Sequence, residues 1–159
     1  MTETPLFHGT FTLNRVWSAA PERVFGAWAD PLVKAQWFTG LPDRWTLVRR
    51  SMDFRVGGQE VLEGRFNESG MRTLFEARFH VIEAGRKLVY DYDLYHSGRF
   101  HSVTLSSLEL EPQEDGTRVS YTEQIVFLDG KDGTADRRHG TGLQFDAIEA
   151  TLRANGAMR

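Results

Sequence analysis

TRVSYTEQIVFL at residues 117–128 and ADRRHGTGLQFDAIEATL at residues 135–152 decide the fold of this chain. The first segment alternates between apolar and polar residues, which is typical of a strand with one buried face; its apolar positions are Val119, Tyr121, Ile125 and Phe127. The second segment carries Phe145, Ile148 and Leu152 at helical spacing. With the polar stretch 129–134 between them and Gly156 as a stop, the two segments predict a half-buried strand, a loop and a long C-terminal helix from about Ala135.

The same two-residue period recurs upstream. It predicts strands at about 45–54, 59–66, 72–83, 87–95 and 100–111, separated by glycine-containing turns such as Ala84-Gly85. Before them, Phe11 to Trp17 is predicted as a first strand. Pro21 and Asp30-Pro31 each mark a helix start, and the second helix is expected to run to about Trp37.

These elements predict the fold class. Seven strands, two short helices after the first strand and one long terminal helix make an α+β domain, and no linker or repeat divides residues 1–159. A single antiparallel sheet has to cover one face, and the last helix is the only large element that can do so. We therefore expect one domain with a helix-grip fold, in which a curved seven-stranded antiparallel sheet wraps around the C-terminal helix.

Composition excludes several functions. The formal net charge of -3 gives no strong field for nucleic acid or anionic lipid. The absence of cysteine removes disulfides, thiolate catalysis and cysteine-based zinc sites. No stretch reaches the roughly 20 apolar residues of a membrane span, and the first residues do not form a signal peptide, so a cytoplasmic protein is expected. The five histidines show no metal-ligand spacing, and neither a metal nor a cofactor is predicted.

Several segments together resemble a known superfamily. These are Arg15, Ala20-Pro21 with Val24-Phe25, Trp28 before Asp30-Pro31 and Trp37, the run Asp53-Phe54-Arg55-Val56-Gly57-Gly58, and Gly142 at the start of the last apolar stripe. The chain resembles START-like (SRPBCC) proteins, and within them the bacterial branch of activator-of-heat-shock-chaperone-ATPase homologues (AHSA-like). It departs from that branch at Leu143, where a tryptophan is usual.

The resemblance implies a helix-grip fold with an apolar cavity used for lipids, polyketides, hormones or other small molecules. Some relatives bind and carry ligands, others catalyse cyclisation or hydration, and the eponymous members act on a chaperone. The resemblance therefore favours binding of a small, largely apolar molecule. Two alternatives stay open: a cyclase- or hydratase-type enzyme that uses Glu123 or a tyrosine as acid or base, and a chaperone-interacting module.

Strand pairing predicts where polar groups meet the cavity. A two-residue turn at Ala84-Gly85 pairs Val81 with Leu88, Phe79 with Tyr90 and Ala77 with Tyr92, and it sets Arg78 opposite Asp91 on the solvent face, with Asp93 beside them. Extending this register aligns Tyr90, Thr104 and Glu123 on the inner face. A buried carboxylate needs hydrogen-bond partners, so this trio is expected to orient a polar group of a ligand.

Two structural alternatives compete with a ligand role for the trio. Glu123 can instead bond within the core, or a bulge at Ser106-Ser107 can turn Val103 and Leu105 inward. Arg137-Arg138-His139 is predicted to begin the last helix on its solvated side. Edge strands also allow, without requiring, a homodimer. The predicted cavity-lining residues are Trp37, Trp45, Phe54, Phe66, Phe75, Phe79, Tyr90, Tyr92, Phe100, Thr104, Tyr121, Glu123, Phe145 and Ile148.

Overall fold

A computed structural model describes residues 3–158. In chain order the elements are β1 (Phe7–Trp17), α1 (Pro21–Ala29), α2 (Pro31–Trp37), β2 (Trp45–Met52), β3 (Gln59–Phe66), β4 (Arg72–Glu83), β5 (Lys87–His96), β6 (Arg99–Gln113), β7 (Gly116–Phe127) and α3 (Thr134–Ala154). The predicted fold class is confirmed, and so is the order of its elements. The main difference in length is that β1 begins at Phe7 rather than Phe11, because it pairs with β7 along its whole length.

The strands form one antiparallel sheet in the order β1-β7-β6-β5-β4-β3-β2. Every neighbouring pair except β1 and β7 is joined by a hairpin, as the period-two pattern and the glycine-containing turns predict. On β7 the alternation is clean: Val119, Tyr121, Ile125 and Phe127 are all buried, while Arg118 and Gln124 on the opposite face are exposed. This face of the sheet packs against the helices.

The helices cover the inner face in two parts. Helices α1 and α2 begin at prolines, and the Asp30 carboxylate accepts a hydrogen bond from the Leu32 amide at 2.9 Å, which caps α2. The second half of α3 packs firmly, because Phe145 lies against the rings of Trp17 and Trp28 at centroid distances of 5.8 Å each. Ile148 and Leu152 continue this contact and are buried.

The predicted pairing of β4 with β5 is correct at one end and wrong at the other. Phe79 pairs with Tyr90, Ala77 with Tyr92 and Arg78 with Asp91, as expected. A bulge after Phe79 then shifts the register, so Val81 pairs with Val89 instead of Leu88 and is exposed. The reason is the turn: Glu83 pairs with Lys87, which leaves three residues in the loop rather than two.

The register across β6 also differs from the prediction. Tyr90 aligns with Ser106, and Ser106 aligns with Glu123, whereas Thr104 pairs with Tyr92 on one side and Ile125 on the other. The difference arises in two hairpins. Between β5 and β6 the pairing is irregular between Leu94 and Tyr95, and between β6 and β7 the turn pairs Gln113 with Gly116, which places Ser106 opposite Glu123. The alternative bulge at Ser106-Ser107 is wrong, since pairing between β6 and β7 is continuous there. Val103 and Leu105 accordingly lie on the exposed outer face.

Candidate functional site

A cavity of about 600 Å³ lies between the inner face of the sheet, helix α2 and the first half of α3. Its apolar wall is formed by Trp37, Phe38, Leu62, Phe75, Leu94 and Phe127. Polar groups interrupt this wall on two sides, from β5 and β7 and from the helices. The volume falls in the range of about 300–1,000 Å³ typical of small-molecule sites.

Glu123 is the centre of a hydrogen-bond network on the floor of the cavity. Its Oε2 atom accepts hydrogen bonds from the hydroxyls of Tyr121 at 2.6 Å and Tyr92 at 2.8 Å. Ser106 lies at 3.4 Å from the same oxygen, and the Tyr90 hydroxyl is 3.1 Å from that of Tyr121. Three neighbouring strands thus bring four hydroxyls around one carboxylate that is 2% exposed. The part of this prediction that named Thr104 is wrong, and Ser106 takes that place because of the register shift.

The two oxygens of Glu123 differ in their surroundings. Oε1 is buried and accepts no hydrogen bond from any residue in the range 3–158 that the structure describes. The Arg137 Nη1 atom is 3.7 Å away, which makes an ion pair but is too long for a hydrogen bond. A buried carboxylate oxygen without a donor is unfavourable by about 1–3 kcal/mol or more. The residue itself lines the cavity.

The three tyrosines remain hydrogen-bond donors at neutral pH. Burial raises the pKa of Tyr92 and Tyr121 well above the ordinary value for tyrosine, and the neighbouring Glu123 charge raises it further. Burial also raises the pKa of Tyr90, although the hydrogen bond with Tyr121 opposes this effect. Their protons therefore stay on the phenols, and those of Tyr92 and Tyr121 are directed toward the carboxylate.

Arg137 faces the cavity and not the solvent, so the prediction for this residue is wrong. Its guanidinium donates to the Tyr92 hydroxyl and Thr104 Oγ1, both at 2.9 Å, and to Ser102 Oγ at 2.7 Å. The neighbouring Arg138 and His139 are exposed, as expected. A helix places successive residues on different faces, so three basic residues in a row cannot share one side. Arg137 ties the beginning of α3 to β5 and β6.

A second buried ion pair lies in the cavity wall and was not predicted. Lys34 of α2 donates to Glu60 of β3, with 2.5 Å between Nζ and Oε1, and both residues are at most 4% exposed. Lys34 lines the cavity. One signal was present in the sequence: Lys34 lies three residues before Trp37, which is the other buried residue of this short helix.

Two histidines lie on the cavity wall beside exposed acidic residues. His96 and His101 stack with ring centroids 4.3 Å apart, and His101 Nε2 is 3.5 Å from the Asp129 carboxylate. Partial burial lowers the pKa of both histidines. The positive charge of Arg137 adds to this for His96, and His96 itself adds to it for His101, while Asp129 acts in the opposite direction. Both rings are therefore uncharged at neutral pH.

The structure divides the predicted cavity-lining residues into two groups. Six of them line the cavity: Trp37, Phe75, Tyr90, Tyr92, Tyr121 and Glu123. The other eight do not: Trp45, Phe54, Phe79, Phe145 and Ile148 are packed in the core or at its edge, Phe66 and Phe100 are exposed, and Thr104 is buried beneath Arg137. Among the residues that the prediction missed, Arg137, Lys34 and Phe38 contribute most to the chemistry and shape of the wall.

A curved sheet that grips a C-terminal helix, with two short helices after the first strand, defines the START-like class of folds. Residues 18–153 match the family described as Activator of Hsp90 ATPase homolog 1-like protein, and the chain therefore belongs to this family. No curated protein matches the chain. None of the helices among residues 3–158 is long and apolar enough to cross a membrane.

Solved structures agree with this assignment. The chain is similar to the protein Mll3558 from Rhizobium loti, with 34% identity and a TM-score of 0.85 over 93% of this chain and 99% of that one. It is also similar to an uncharacterised protein from Rhizobium leguminosarum, with 30% identity and a TM-score of 0.87 over 94% and 97% of the two chains. An AHSA1-like protein from Aeromonas hydrophila, 20% identical with a TM-score of 0.73 over 95% and 96%, shares the fold.

Proposed function

We propose that this protein binds a small molecule with an apolar body and a hydrogen-bond donor that reaches Glu123. The observation that carries the proposal is the unpartnered Oε1 atom of a buried carboxylate on the cavity floor. Its neighbour Oε2 is held by Tyr92 and Tyr121, so the carboxylate cannot rotate toward other partners without losing those bonds. The free lone pairs of Oε1 therefore have a fixed direction.

The rest of the cavity supports an uncharged ligand. Among the buried charges of the cavity, Arg137 balances Glu123 and Lys34 balances Glu60, so a charged group of a ligand placed there would be desolvated without a counterion. The rings of Trp37, Phe38 and Phe75 offer an apolar wall. A hydroxyl on an aromatic or alicyclic skeleton satisfies both requirements, because it donates one hydrogen bond and leaves the body to pack on the rings.

The test compares two probes of nearly the same shape, 2-naphthol and 2-methoxynaphthalene, by titration calorimetry. Only the first has a donor. A hydrogen bond to a charged group contributes about 1.5–3 kcal/mol, so 2-naphthol should bind the protein about 10- to 100-fold more tightly. Glu123→Gln keeps the size of the side chain and should remove most of this preference, because the amide loses the negative charge. Glu109→Gln, on an exposed residue of β6, is the matched control and should leave the preference unchanged.

Two results would contradict the proposal. The first is equal affinity of the unmodified protein for both probes, or no binding of either. The second is an unchanged preference for 2-naphthol in the Glu123→Gln variant. Because the comparison of the probes is made within each protein, a modest loss of stability in the variant does not affect the conclusion.

A further inference from the structure

The buried Lys34 ammonium makes fewer hydrogen bonds than its chemistry allows. An ammonium carries three N–H donors. Within the described residues its hydrogen bond goes to Glu60, and the rings of Trp37, Phe38 and Tyr90 surround it at 5.0–5.9 Å from their centroids. These rings attract the positive charge, but they do not replace an oxygen acceptor. Since Lys34 lines the cavity, its remaining donors are available to a bound molecule.

Tyr90 contacts both polar groups of the cavity, Lys34 directly and Glu123 through the Tyr121 hydroxyl. Its ring centroid is 5.8 Å from Lys34 Nζ, and its hydroxyl is 3.1 Å from the Tyr121 hydroxyl, which in turn bonds to Glu123. The same cavity therefore holds an acceptor, the Glu123 carboxylate, and a donor, the Lys34 ammonium, with Tyr90 in contact with both groups.

The charge of Glu60 determines which acceptor fits Lys34. The Glu60 carboxylate already neutralises the ammonium at 2.5 Å, so an incoming carboxylate or phosphate would meet a like charge in a desolvated site. A neutral oxygen, as in a ketone or an amide, meets no such repulsion and accepts a hydrogen bond from Nζ.

We infer that Lys34 is a second polar subsite, which donates a hydrogen bond to a neutral carbonyl oxygen of the same ligand whose hydroxyl binds Glu123. The ligand class is thus a hydroxyl-bearing carbonyl compound with an apolar skeleton between the two groups. This inference rests on the proposed function, and it adds the position and chemistry of the second group.

The experiment uses 6-hydroxy-2-acetylnaphthalene and 6-hydroxy-2-ethylnaphthalene, which share the hydroxyl and the skeleton and differ in the carbonyl oxygen. The unmodified protein should bind the ketone about tenfold or more tightly, as expected for a charge-assisted hydrogen bond. Removing Lys34 alone would leave Glu60 buried without a partner, so the variant is the double substitution Lys34→Met with Glu60→Leu. It should bind the ketone and the ethyl compound with equal affinity. Lys87→Met, on an exposed lysine, is the control and should preserve the preference.

A second measurement does not depend on the folding of any variant. In ¹⁵N-edited spectra the Lys34 ammonium signal should shift on addition of the ketone and much less with the ethyl compound, while the exposed Lys87, which lies outside the cavity, should not respond. If the unmodified protein binds both compounds equally, or the Lys34 signal responds alike to both, the subsite is refuted while the proposed function stands. If neither compound nor 2-naphthol binds, the proposed function fails and the subsite fails with it.

Discussion

Two phenylalanines of similar burial allow the cavity itself to be tested through stability. Phe145 is 2% exposed and is enclosed by Trp17, Trp28 and Tyr121, whose ring centroids lie 5.3–5.8 Å away. Phe75 is 9% exposed and contacts Phe38 and Tyr92, both at 4.8 Å. Only Phe75 borders the cavity. The same substitution, Phe→Ala, therefore creates a new enclosed void at one position and enlarges an existing cavity at the other.

The difference in cost follows from the two parts of a large-to-small substitution. Phe145→Ala loses the transfer free energy of the ring and also leaves a void, which together come to about 3–5 kcal/mol. Phe75→Ala loses mainly the transfer term, about 1.5–3 kcal/mol, because the vacated space joins a cavity that is already there. In a chain of 159 residues each kcal/mol lowers Tm by about 2–4 °C, so Phe145→Ala should lower it by roughly 6–20 °C and Phe75→Ala by clearly less.

The assay is urea unfolding followed by tryptophan fluorescence and by circular dichroism. The free energy of unfolding is calculated from the urea midpoint of each variant with one common slope m. A change in stability moves the midpoint and leaves m unaltered. Affinity for 2-naphthol is measured on the same samples, and it should change for Phe75→Ala and stay close to the original for Phe145→Ala. If Phe75→Ala destabilises the protein as much as Phe145→Ala does, the interior beside Phe75 is filled and no cavity borders this residue.

Two further predictions concern charge. Arg137→Met should lower the free energy of unfolding by about 3–5 kcal/mol, because it leaves the Glu123 charge buried without its counterion. The same substitution at the exposed Arg138 should change it by less than about 0.5 kcal/mol in the same urea assay. Similar effects of the two substitutions would contradict the inward position of Arg137. Because burial lowers the pKa of His96 and His101, their contribution to stability is complete above the ordinary pKa of about 6.5 and is lost as pH falls through the lowered values. Between about pH 7.5 and 5, thermal unfolding should therefore show a smaller decrease in Tm for the double variant His96→Gln with His101→Gln than for the unmodified protein. An equal decrease in Tm in the two proteins would refute the lowered pKa of the histidines.

The sequence predicted the fold well because its signals are local. Alternation on each strand, prolines at Pro21 and Pro31, and the stripe of Phe145, Ile148 and Leu152 each identify an element without knowledge of the others. The register across several strands was harder, because one extra residue in a turn moves every later pair. The third loop residue before Lys87 displaced Val81, and the turn that pairs Gln113 with Gly116 placed Ser106 instead of Thr104 beside the carboxylate.

The site was predicted only in part, because some of its signals are local and others depend on the register of several strands. Glu123 could be found, since a single acid on an apolar alternating face has few explanations other than a buried polar role. Its partners Tyr92 and Tyr121 were among the predicted lining residues, although the sequence did not distinguish them from core rings such as Phe79. Residue type carries no information on this distinction, because the same side chains that fill a core also line a cavity. Whether an aromatic residue fills the core or lines the cavity depends on where α3 crosses the sheet.

The composition of α3 explains why the interior is open at one end. The residues that line the cavity along its first half are Arg137, Gly140, Thr141 and Gln144, and the buried residues of its second half include Phe145, Ile148 and Leu152. Small and polar side chains in the first half cannot fill the concave sheet, while the bulky residues of the second half can. The cavity is thus a property of a helix whose inward face changes from polar to apolar near Gln144. The polar half also supplies Arg137, the counterion without which Glu123 would be a buried, uncompensated charge. The same stretch of α3 therefore opens the site and allows it to contain a carboxylate.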